Sequence, residues 1–565
     1  MVEPHKNEGV ARMRMYHPRA ALCVCASILY LAAPALCAAA PNDERQSLEE
    51  LRDTVVNLLQ ALVDQGVMTP AKAQALVRAA KQKAAADATQ EARTANEERN
   101  AVRVPYVPQI VQDQISRQVE KAVRPAIVAS VVKQAKDEKW GVPAALPDWL
   151  SRVQISGDVA VRAQADRYSS ANQANTILDF NTINLDGGIA KVPGAGPFLD
   201  TTHDRNRLRL RAHLGLLAHL TPQWSAGLRL ASGSLTDPSS ESQTLGSYGA
   251  RYSIALDEAY LRWNSEPAGR FAAVTAEGGR FANPWFSPTQ LIYASDLTFE
   301  GASATLRRGF GAARGTGRSN AYVTVGAMPM LEVPLANPDN KWMLGAQFGT
   351  DLAWGGGRDR LRAAASYYDF LHVTGLLNDP NQPGLLNYTA PAFVRSGNTM
   401  FDIANSTDPT VNLFALAAHF RLLNLSANFE HSFGRYTLGF TADAVKNLGY
   451  DVNGIAALNP INLYTQSAQN LGYIGELNFG DPRVDRPGLW RVKLGYRYVQ
   501  SDAVIDAWTD ADFHGGGTNA RGYYIWGEAG IADRVWFRAR YLSGNEIVGP
   551  KYGLDILQLD LLSEF

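Results

Sequence analysis

From about residue 150 onward, apolar and polar residues alternate along the chain. Within 153–164, Val153, Ile155 and Val161 share one parity, whereas Gln154 and Arg162 share the other. A period of two places the apolar side chains on one face of a strand and the polar side chains on the other. The segment therefore predicts a β-strand that lies between an apolar and a polar environment.

The next such segment carries a row of arginines. Arg207, Arg209 and Arg211 alternate with Leu208 and Leu210. Guanidinium groups at alternate positions of one strand would be costly inside a dry core, but the wall of a water-filled barrel accommodates them. This row favours a transmembrane barrel over a soluble β-sandwich.

The same alternation predicts the number of strands. Strands are expected near 153–164, 207–216, 224–230, 254–264, 270–280, 296–306, 320–328, 342–353, 359–368, 411–421, 435–446, 471–480, 489–500, 521–530, 534–542 and 553–565. The predicted fold class is an all-β transmembrane barrel of about 16 antiparallel strands, whose even number leaves both barrel ends on one side of the membrane. The segment 420–435 is ambiguous, so counts of about 14 or 18 strands stay open.

The connections between these strands alternate in length. Short turns are expected near 221–223, 265–269, 355–358, 481–488 and 531–533, and long loops near 167–205, 233–252, 371–409, 447–469 and 502–519. Short periplasmic turns and long outer loops are typical of outer-membrane barrels. The last strand, Leu557 to Phe565, ends on an aromatic residue with nothing after it to cover its apolar face. We expect this strand to contact outer-membrane lipid and lipopolysaccharide, and to engage the barrel-assembly machinery.

The amino terminus predicts export. Arg12 and Arg14 precede an apolar run at 20–33, and small residues lead to a cleavage site that we place after Ala39. A basic flank, an apolar core and small residues at the exit make residues 1–39 a secretory signal peptide. An uncleaved membrane anchor is the alternative.

Residues 40–150 have a helical composition. Ser47 and Glu50 form a capping box, and Leu51, Val55 and Leu58 begin an apolar stripe at helical spacing. We expect a periplasmic helical extension with a linker, ahead of a barrel at 151–565. The extension is read as a helical hairpin, as a coiled coil that joins subunits, or as a spacer that contacts the cell wall.

Composition excludes several classes of protein. The chain has 565 residues and a net charge of −1, which argues against nucleic acid as a partner. No stretch after the leader reaches about 18 consecutive apolar residues, so a helical membrane bundle is excluded. The three cysteines, Cys23, Cys25 and Cys37, all lie in the leader, so a mature chain has no disulfide and no zinc–cysteine site.

Nothing in the sequence indicates an enzyme or a cofactor. The histidines are scattered, and no nucleophile elbow of the G-x-S-x-G type is present. Asp502, Asp506, Asp510 and Asp512 precede three glycines, and clustered carboxylates of this kind can bind calcium. Their spacing is not that of an EF-hand, and acidic outer loops are common, so we assign no metal site.

Several motifs carry a resemblance to a known family. They are 47–59, Trp140–Pro143, Ser156–Asp158, Gly279–Pro284, Asp296–Ala302, Asp510–Phe513 with 515–519, and the terminal strand. Together they resemble a family of putative porins of Gram-negative bacteria. The resemblance implies an outer-membrane channel for small solutes, and porins in general suggest a homotrimer. It transfers no known substrate site.

The predicted pore-lining residues share the polar parity of the strands. They are Arg162, Arg207, Arg209, Arg211, Arg229, Glu258, Arg280, Glu300, Arg360, Arg362, Arg491, Lys493, Arg497, Arg538 and Arg540. Fixed positive charge in a narrow passage favours anions, so the hypothesis is a weak anion preference. In the alternative, these arginines pair with acids on neighbouring strands and only line the wall.

The loop after the strand near 270–280 is the candidate constriction. Asn283, Pro284, Trp285 and Phe286 would give a stiff, packed segment that folds into the barrel, although an aromatic loop resting on the rim is the alternative. The function we predict is an outer-membrane porin that passes small hydrophilic solutes by diffusion. The competing prediction is a structural envelope tether whose helical extension contacts the cell wall or oligomerises.

Overall fold

The computed structural model describes Arg78 and residues 152–565, except 195, 266–272, 311–318 and 335–338. The chain divides into two units, Met1–Pro125 and Ala126–Phe565, and Arg78 is the one described residue of the first. The predicted signal peptide, helical extension and linker therefore lie outside the described residues.

The described residues form a closed barrel of sixteen antiparallel strands. In chain order, the strands of the structure are β1 (Val153–Tyr168), β2 (Arg205–His219), β3 (Trp224–Ser232), β4 (Gln243–Thr244), β5 (Ile254–Asn264), β6 (Ala273–Ala282), β7 (Thr298–Phe310), β8 (Ser319–Leu331), β9 (Lys341–Trp354), β10 (Asp359–Leu371), β11 (Met400–Asp402), β12 (Phe414–Leu416), β13 (Phe420–Phe433), β14 (Tyr436–Asn447), β15 (Leu471–Gly480), β16 (Trp490–Val499), β17 (Ala520–Ala532), β18 (Val535–Glu546) and β19 (Gly553–Glu564). The short strands β4, β11 and β12 lie in loops and are not counted among the strands of the barrel wall. Closure occurs where β19 pairs with β1, with Glu564 opposite Asp158.

The two faces of the wall have opposite chemistry. Ile155 and Leu208 point outward and are 66% and 56% exposed, whereas Gln558 and Asp560 point inward and are almost fully buried. A wall that is apolar outside and polar inside matches a barrel in lipid, where backbone groups must be paired and no edge can stay open. The predicted fold class is confirmed.

The long loops and short turns alternate as expected. Short connections join β2 to β3, β9 to β10, β13 to β14, β15 to β16 and β17 to β18, while long loops join β1 to β2, β10 to β13, β14 to β15 and β16 to β17. The turn between β13 and β14 needs only Gly434 and Arg435, and Gly434 has a φ of 63° that favours glycine. The first residue of β1 and the last of β19 therefore lie on the short-turn side.

One predicted strand was misplaced. The segment 411–421 is not a wall strand, because its residues Phe414–Leu416 form β12 and pair with β11 inside a long loop. The wall strand is β13, within the segment that sequence left ambiguous. Adjacent Leu422 and Leu423 blur its period of two, since Leu422 faces packed loops inside the barrel and Leu423 faces outward.

An apolar cluster fills the long-loop end of the barrel, and we call it the loop core. Its buried loop residues include Leu291, Tyr293, Phe401, Phe414 and Val504. They pack against inward-facing wall residues such as Met343, Tyr368, Phe420 and Val499. Two short helices, α1 (Phe180–Asp186) and α2 (Val452–Ala457), contribute Ile183 and Ile455 to it. None of the helices among the described residues is both long and apolar enough to cross a membrane.

Candidate functional site

The loop 283–297, between β6 and β7, enters the barrel, and we call it the crossing loop. Its turn begins where the Asn283 side chain accepts a hydrogen bond from the backbone of Trp285 at 2.9 Å. The backbone N–H of Phe286 then donates to Gln347 of β9 at 2.7 Å. The loop therefore leaves β6 and reaches the neighbouring part of the wall first.

Further along, the crossing loop binds the other side of the wall. The Thr289 hydroxyl donates to Asp443 of β14 at 2.6 Å, and Arg497 of β16 donates to the carbonyl of Gln290 at 3.0 Å. Contacts to β9, β14 and β16 from one short loop mean that it spans the interior. The candidate constriction residues thus lie inside the barrel and not on its rim.

Trp285 fixes the first part of the crossing loop. Its side chain is 4% exposed and meets the Tyr368 ring edge-on, with 5.4 Å between the ring centroids. A side chain at Gly326 or Gly345 would place its Cβ within about 3 Å of the indole, a close approach that only glycine permits. Two wall glycines therefore make the space that this tryptophan occupies.

The crossing loop has a cavity on each side. The large chamber, of about 510 Å³, lies between the loop and inward-facing residues of β1, β2 and β15 to β19. The small chamber, of about 310 Å³, lies between Pro284–Phe286 and residues of β7 to β10. A third cavity, of about 840 Å³, opens at the short-turn end beside Asp158, Arg229 and Phe565.

The predicted cations of the large chamber are held by carboxylates. Arg162 binds Asp560 at 2.6 Å and Asp512 at 3.0 Å, and Arg540 binds Asp512 at 2.5 Å. Arg209 also lies 3.8 Å from Asp512. The guanidinium groups around it hold the pKa of Asp512 well below its usual range, against the opposing effect of burial.

Other predicted lumen residues pair in the same way. The pairs are Arg207–Asp166 at 2.6 Å, Arg211–Asp158 and Arg211–Asp296 at 3.3 Å, Arg229–Glu258 at 2.9 Å, Arg280–Glu300 at 2.5 Å, Arg360–Asp351 at 2.6 Å, Arg362–Glu430 at 3.0 Å, Arg491–Glu528 at 2.6 Å, Lys493–Glu476 at 2.9 Å and Arg538–Glu528 at 2.5 Å. Most of these pairs join neighbouring strands, as in the alternative named above, whereas Asp296 comes from the crossing loop. Arg280 and Glu300 alternate with Phe281 and Phe299, which are buried in the loop core, so this one pair lies on the outward parity and not on the lumen side.

Arg497 differs from the rest because it is fully buried. It donates to the Thr509 hydroxyl at 2.7 Å as well as to Gln290, and its side chain is 1% exposed. It joins β16 to the crossing loop and to the loop 500–519. We assign it to holding the loops in place and no longer to the lumen surface.

Sequence reasoning missed several interior acids, among them Asp166, Asp351 and Glu430, and two others show why. Asp257 has the outward parity, but an irregular register between Arg229 and Leu230 turns both Asp257 and Glu258 inward, where each binds Arg229. Asp512 was noted only as a calcium candidate. Its place among arginines depends on how the loop 500–519 packs, which no strand periodicity encodes.

The four aspartates of that loop do not converge on a common point. Asp502 accepts hydrogen bonds from the Thr399 backbone and hydroxyl, Asp510 accepts one from the Asp512 backbone, and Asp512 binds arginines. Burial raises the pKa of Asp502 to about 6 and that of Asp506 to about 7. Among residues 152–565 as described, no cluster of three or more His, Cys, Asp or Glu is arranged to hold a metal ion.

Comparison with known proteins identifies the family. Residues 52–565 match the family model described as putative porin. A comparison with the curated proteins finds no match.

Three solved structures that resemble this chain illustrate the comparison. They are OprB of Pseudomonas putida at high pH (10% identity, TM-score 0.41, 76% of this chain and 97% of that one), the channel DcaP of Acinetobacter baumannii (11%, 0.36, 74% and 98%) and OmpF of Salmonella typhi with daunomycin (9%, 0.36, 73% and 97%). On the family match, which covers the whole barrel and most of the segment before it, the chain belongs to the putative porin family and is an outer-membrane channel.

Proposed function

We propose that this channel passes small hydrophilic solutes by passive diffusion, with a weak preference for anions. The observation that carries the proposal is the large chamber, a polar cavity of about 510 Å³ enclosed by the charged wall and the crossing loop. Its lining includes six cationic side chains and five carboxylates, a formal excess of one positive charge. The cations are Arg162, Arg209, Arg211, Lys493, Arg538 and Arg540, and the acids are Asp296, Glu476, Asp510, Asp512 and Asp560.

The small chamber supports the same sign of selectivity. Arg307, Arg360 and Arg362 line it together with one carboxylate, that of Asp351. Within such a space, charges a few ångströms from a passing ion act at less than the Debye length of about 8 Å at physiological salt. A small excess of fixed positive charge then raises the local anion concentration without excluding cations.

The lining also suits polar, uncharged solutes. Thr289, Gln290 and Ser295 of the crossing loop share the large chamber with the charged groups, so that a sugar or amino acid can exchange water for hydroxyl, amide and guanidinium partners. An apolar solute would gain no such partners and would leave the polar groups unsatisfied.

Planar lipid bilayers provide the test. With purified full-length protein, we expect stable current steps, and in a salt gradient a reversal potential of the sign that marks modest anion preference. Cation selectivity would remove the anion preference, and the absence of steps would favour the structural envelope tether. A liposome-swelling panel of sugars, amino acids and organic acids would then define the solute range.

The remaining parts of the proposal concern assembly and placement. We propose a homotrimer in contact with lipopolysaccharide, inserted by the barrel-assembly machinery through the strand that ends at Phe565, with residues 40–150 in the periplasm. The support for this placement is that β1 begins on the short-turn side, which faces the periplasm in barrels of this kind. Chemical cross-linking in intact outer membranes tests it: a trimer band is expected, and a monomer alone would contradict it.

A further inference from the structure

Three arginines from three different strands meet at one carboxylate. Arg162 of β1 and Arg540 of β18 donate to Asp512 at 3.0 and 2.5 Å, and Arg209 of β2 lies 3.8 Å from it. All three guanidinium groups are mostly buried, with 13–17% of their side chains exposed. We call this group the three-arginine cluster. It has the composition of a site for a carboxylate or another oxyanion.

The carboxylate in the cluster comes from a loop and not from the wall. Asp512 follows Asp510, whose side chain accepts a hydrogen bond from the Asp512 backbone at 2.8 Å. The chain then turns back through 515–517, three glycines with φ values of 80°, 94° and 97°, a backbone that other residues rarely adopt. Asp512 is thus carried into the lumen on a tight reversal, whereas Asp560, the other partner of Arg162, belongs to β19.

Asp512 does not use all the donors of the cluster. The Nε atoms of Arg209 and Arg540 are buried and have no hydrogen-bond partner within the described part of the protein. A guanidinium group offers five N–H donors and a carboxylate accepts only a few of them. The cluster also lines the large chamber, together with Asp512 itself. Guanidinium groups that line an open cavity and are not saturated by their own carboxylate are what an incoming anion would need.

We propose that the three-arginine cluster is a binding site for carboxylate-bearing solutes and that Asp512 fills it as an internal competitor. A solute carboxylate that enters the large chamber replaces Asp512 on Arg540 and Arg209, and Asp512 returns when the solute leaves. Such a site slows the solute without trapping it, because the chain's own carboxylate takes its place at once. This inference rests on the proposed porin function and names its preferred solute class.

Asp512→Asn in the full-length chain is the direct test. The amide keeps the size of the side chain but removes the charge that neutralises the cluster. Citrate, added to a planar bilayer in potassium chloride, serves as the probe. We expect citrate to halve the current of Asp512→Asn at a concentration about tenfold lower than in the unchanged protein, as for the loss of one charge-assisted contact of about 1.4 kcal/mol.

Asp351→Asn is the matched control. It also removes one lumen carboxylate, but from the small chamber, where Asp351 binds Arg360 at 2.6 Å. We expect its citrate block to match that of the unchanged protein. Equal sensitisation by both substitutions would overturn the proposal, since the effect would then be one of net charge and not of this site. Unchanged or weaker block in Asp512→Asn would overturn it as well.

A second substitution keeps the proposal testable if Asp512→Asn does not fold. Arg209→Gln removes a cluster cation that lies farther from Asp512 than the other two, and should raise the citrate concentration for half block about threefold. An unchanged concentration would contradict the site. If the unchanged protein conducts but neither substitution alters citrate block, only this inference fails, whereas a protein without conductance removes the porin function itself.

Discussion

The two chambers beside the crossing loop neutralise their arginines differently. In the small chamber, Arg360 binds Asp351, and both residues belong to adjacent wall strands, β10 and β9. In the large chamber, Arg162 and Arg540 bind Asp512, which a loop supplies. The charge of the small chamber is therefore fixed when the wall forms. That of the large chamber also depends on where the loop 500–519 lies, although the wall supplies Asp560 and Glu476 as well.

The contrast extends along that loop. Asp512 sits among guanidinium groups that lower its pKa, whereas Asp502 and Asp506 are fully buried near the loop core, where burial raises their pKa values. The loop 500–519 thus has one part in an apolar environment and another part in a charged environment. Changes in either environment should reach the large chamber and leave the small one as it is.

Removing the Trp285 side chain, which lies between the two chambers, should have the largest effect on conductance. Trp285→Ala deletes the buried side chain that packs on Tyr368 between the two chambers, a loss of about 3–5 kcal/mol in a typical core. We expect the crossing loop to loosen and the single-channel conductance to rise at least about twofold, because the path widens across both chambers.

Trp354→Ala is the control for that prediction. Trp354 is 46% exposed and stacks on Phe429 on the outer face of the barrel. Its loss should leave the conductance as it is. If Trp285→Ala folds into a heat-modifiable barrel and conducts like the unchanged protein, the crossing loop does not limit the current.

An intermediate effect is expected from pH. Asp502 and Asp506 have pKa values of about 6 and about 7, above the ordinary value, so their contribution to stability is complete at low pH and is lost as pH rises through 6 to 7. The contribution of Asp512 to stability changes with pH in the opposite direction. Because its pKa is lowered, this contribution is present above pH 4 and is lost only in stronger acid.

Current noise measured between pH 5 and pH 8 tests this prediction. We expect the loop 500–519 to loosen as pH rises, so that noise increases, and we expect Asp506→Asn to flatten the dependence. The small chamber has no part in it, so Asp351→Asn should keep the full pH dependence. A noise level that falls with rising pH would show that the sign is wrong.

The smallest effect should come from the hydrogen bond that joins Thr289 of the crossing loop to Asp443 of β14. Thr289→Val removes the hydroxyl that donates to buried Asp443, whose side chain still accepts hydrogen bonds from Asn424 and Ser426. The lost hydrogen bond is worth about 0.5–1.5 kcal/mol. We expect brief additional openings with little change in mean conductance, and Thr437→Val, near the short turns, should show none.

Sequence periodicity predicted the wall because the pattern has a direct physical cause. Outward residues of β1 and β2 must be apolar and inward ones can be polar, so parity alone assigns Ile155 and Arg162 to their faces. The pattern weakens where the lumen is not wet. At Leu422 the interior of the barrel is filled by the loop core, so an apolar residue is favoured there too. Leucines on both faces of β13 therefore removed the alternation that would have predicted this strand.

The candidate site was predictable only in part. The arginines were found from parity, and the entry of the crossing loop from its proline and aromatic residues. The carboxylates that pair with these arginines could not be predicted. Asp512 lies in a loop more than three hundred residues away from Arg162 in sequence, and Asp257 turns inward at a local irregularity of register. Such contacts depend on tertiary packing and produce no periodic pattern in the amino-acid sequence.

Thiol modification tests most directly whether solutes pass through the large chamber. All three cysteines precede residue 40, so in a chain from which residues 1–39 have been removed Ser295→Cys places a single thiol on the crossing loop facing that chamber. A negatively charged thiosulfonate reagent should remove most of the current through Ser295→Cys and leave Leu559→Cys, on the outer face, unaffected. A Ser295→Cys channel that is fully modified and still carries the full current would contradict the account.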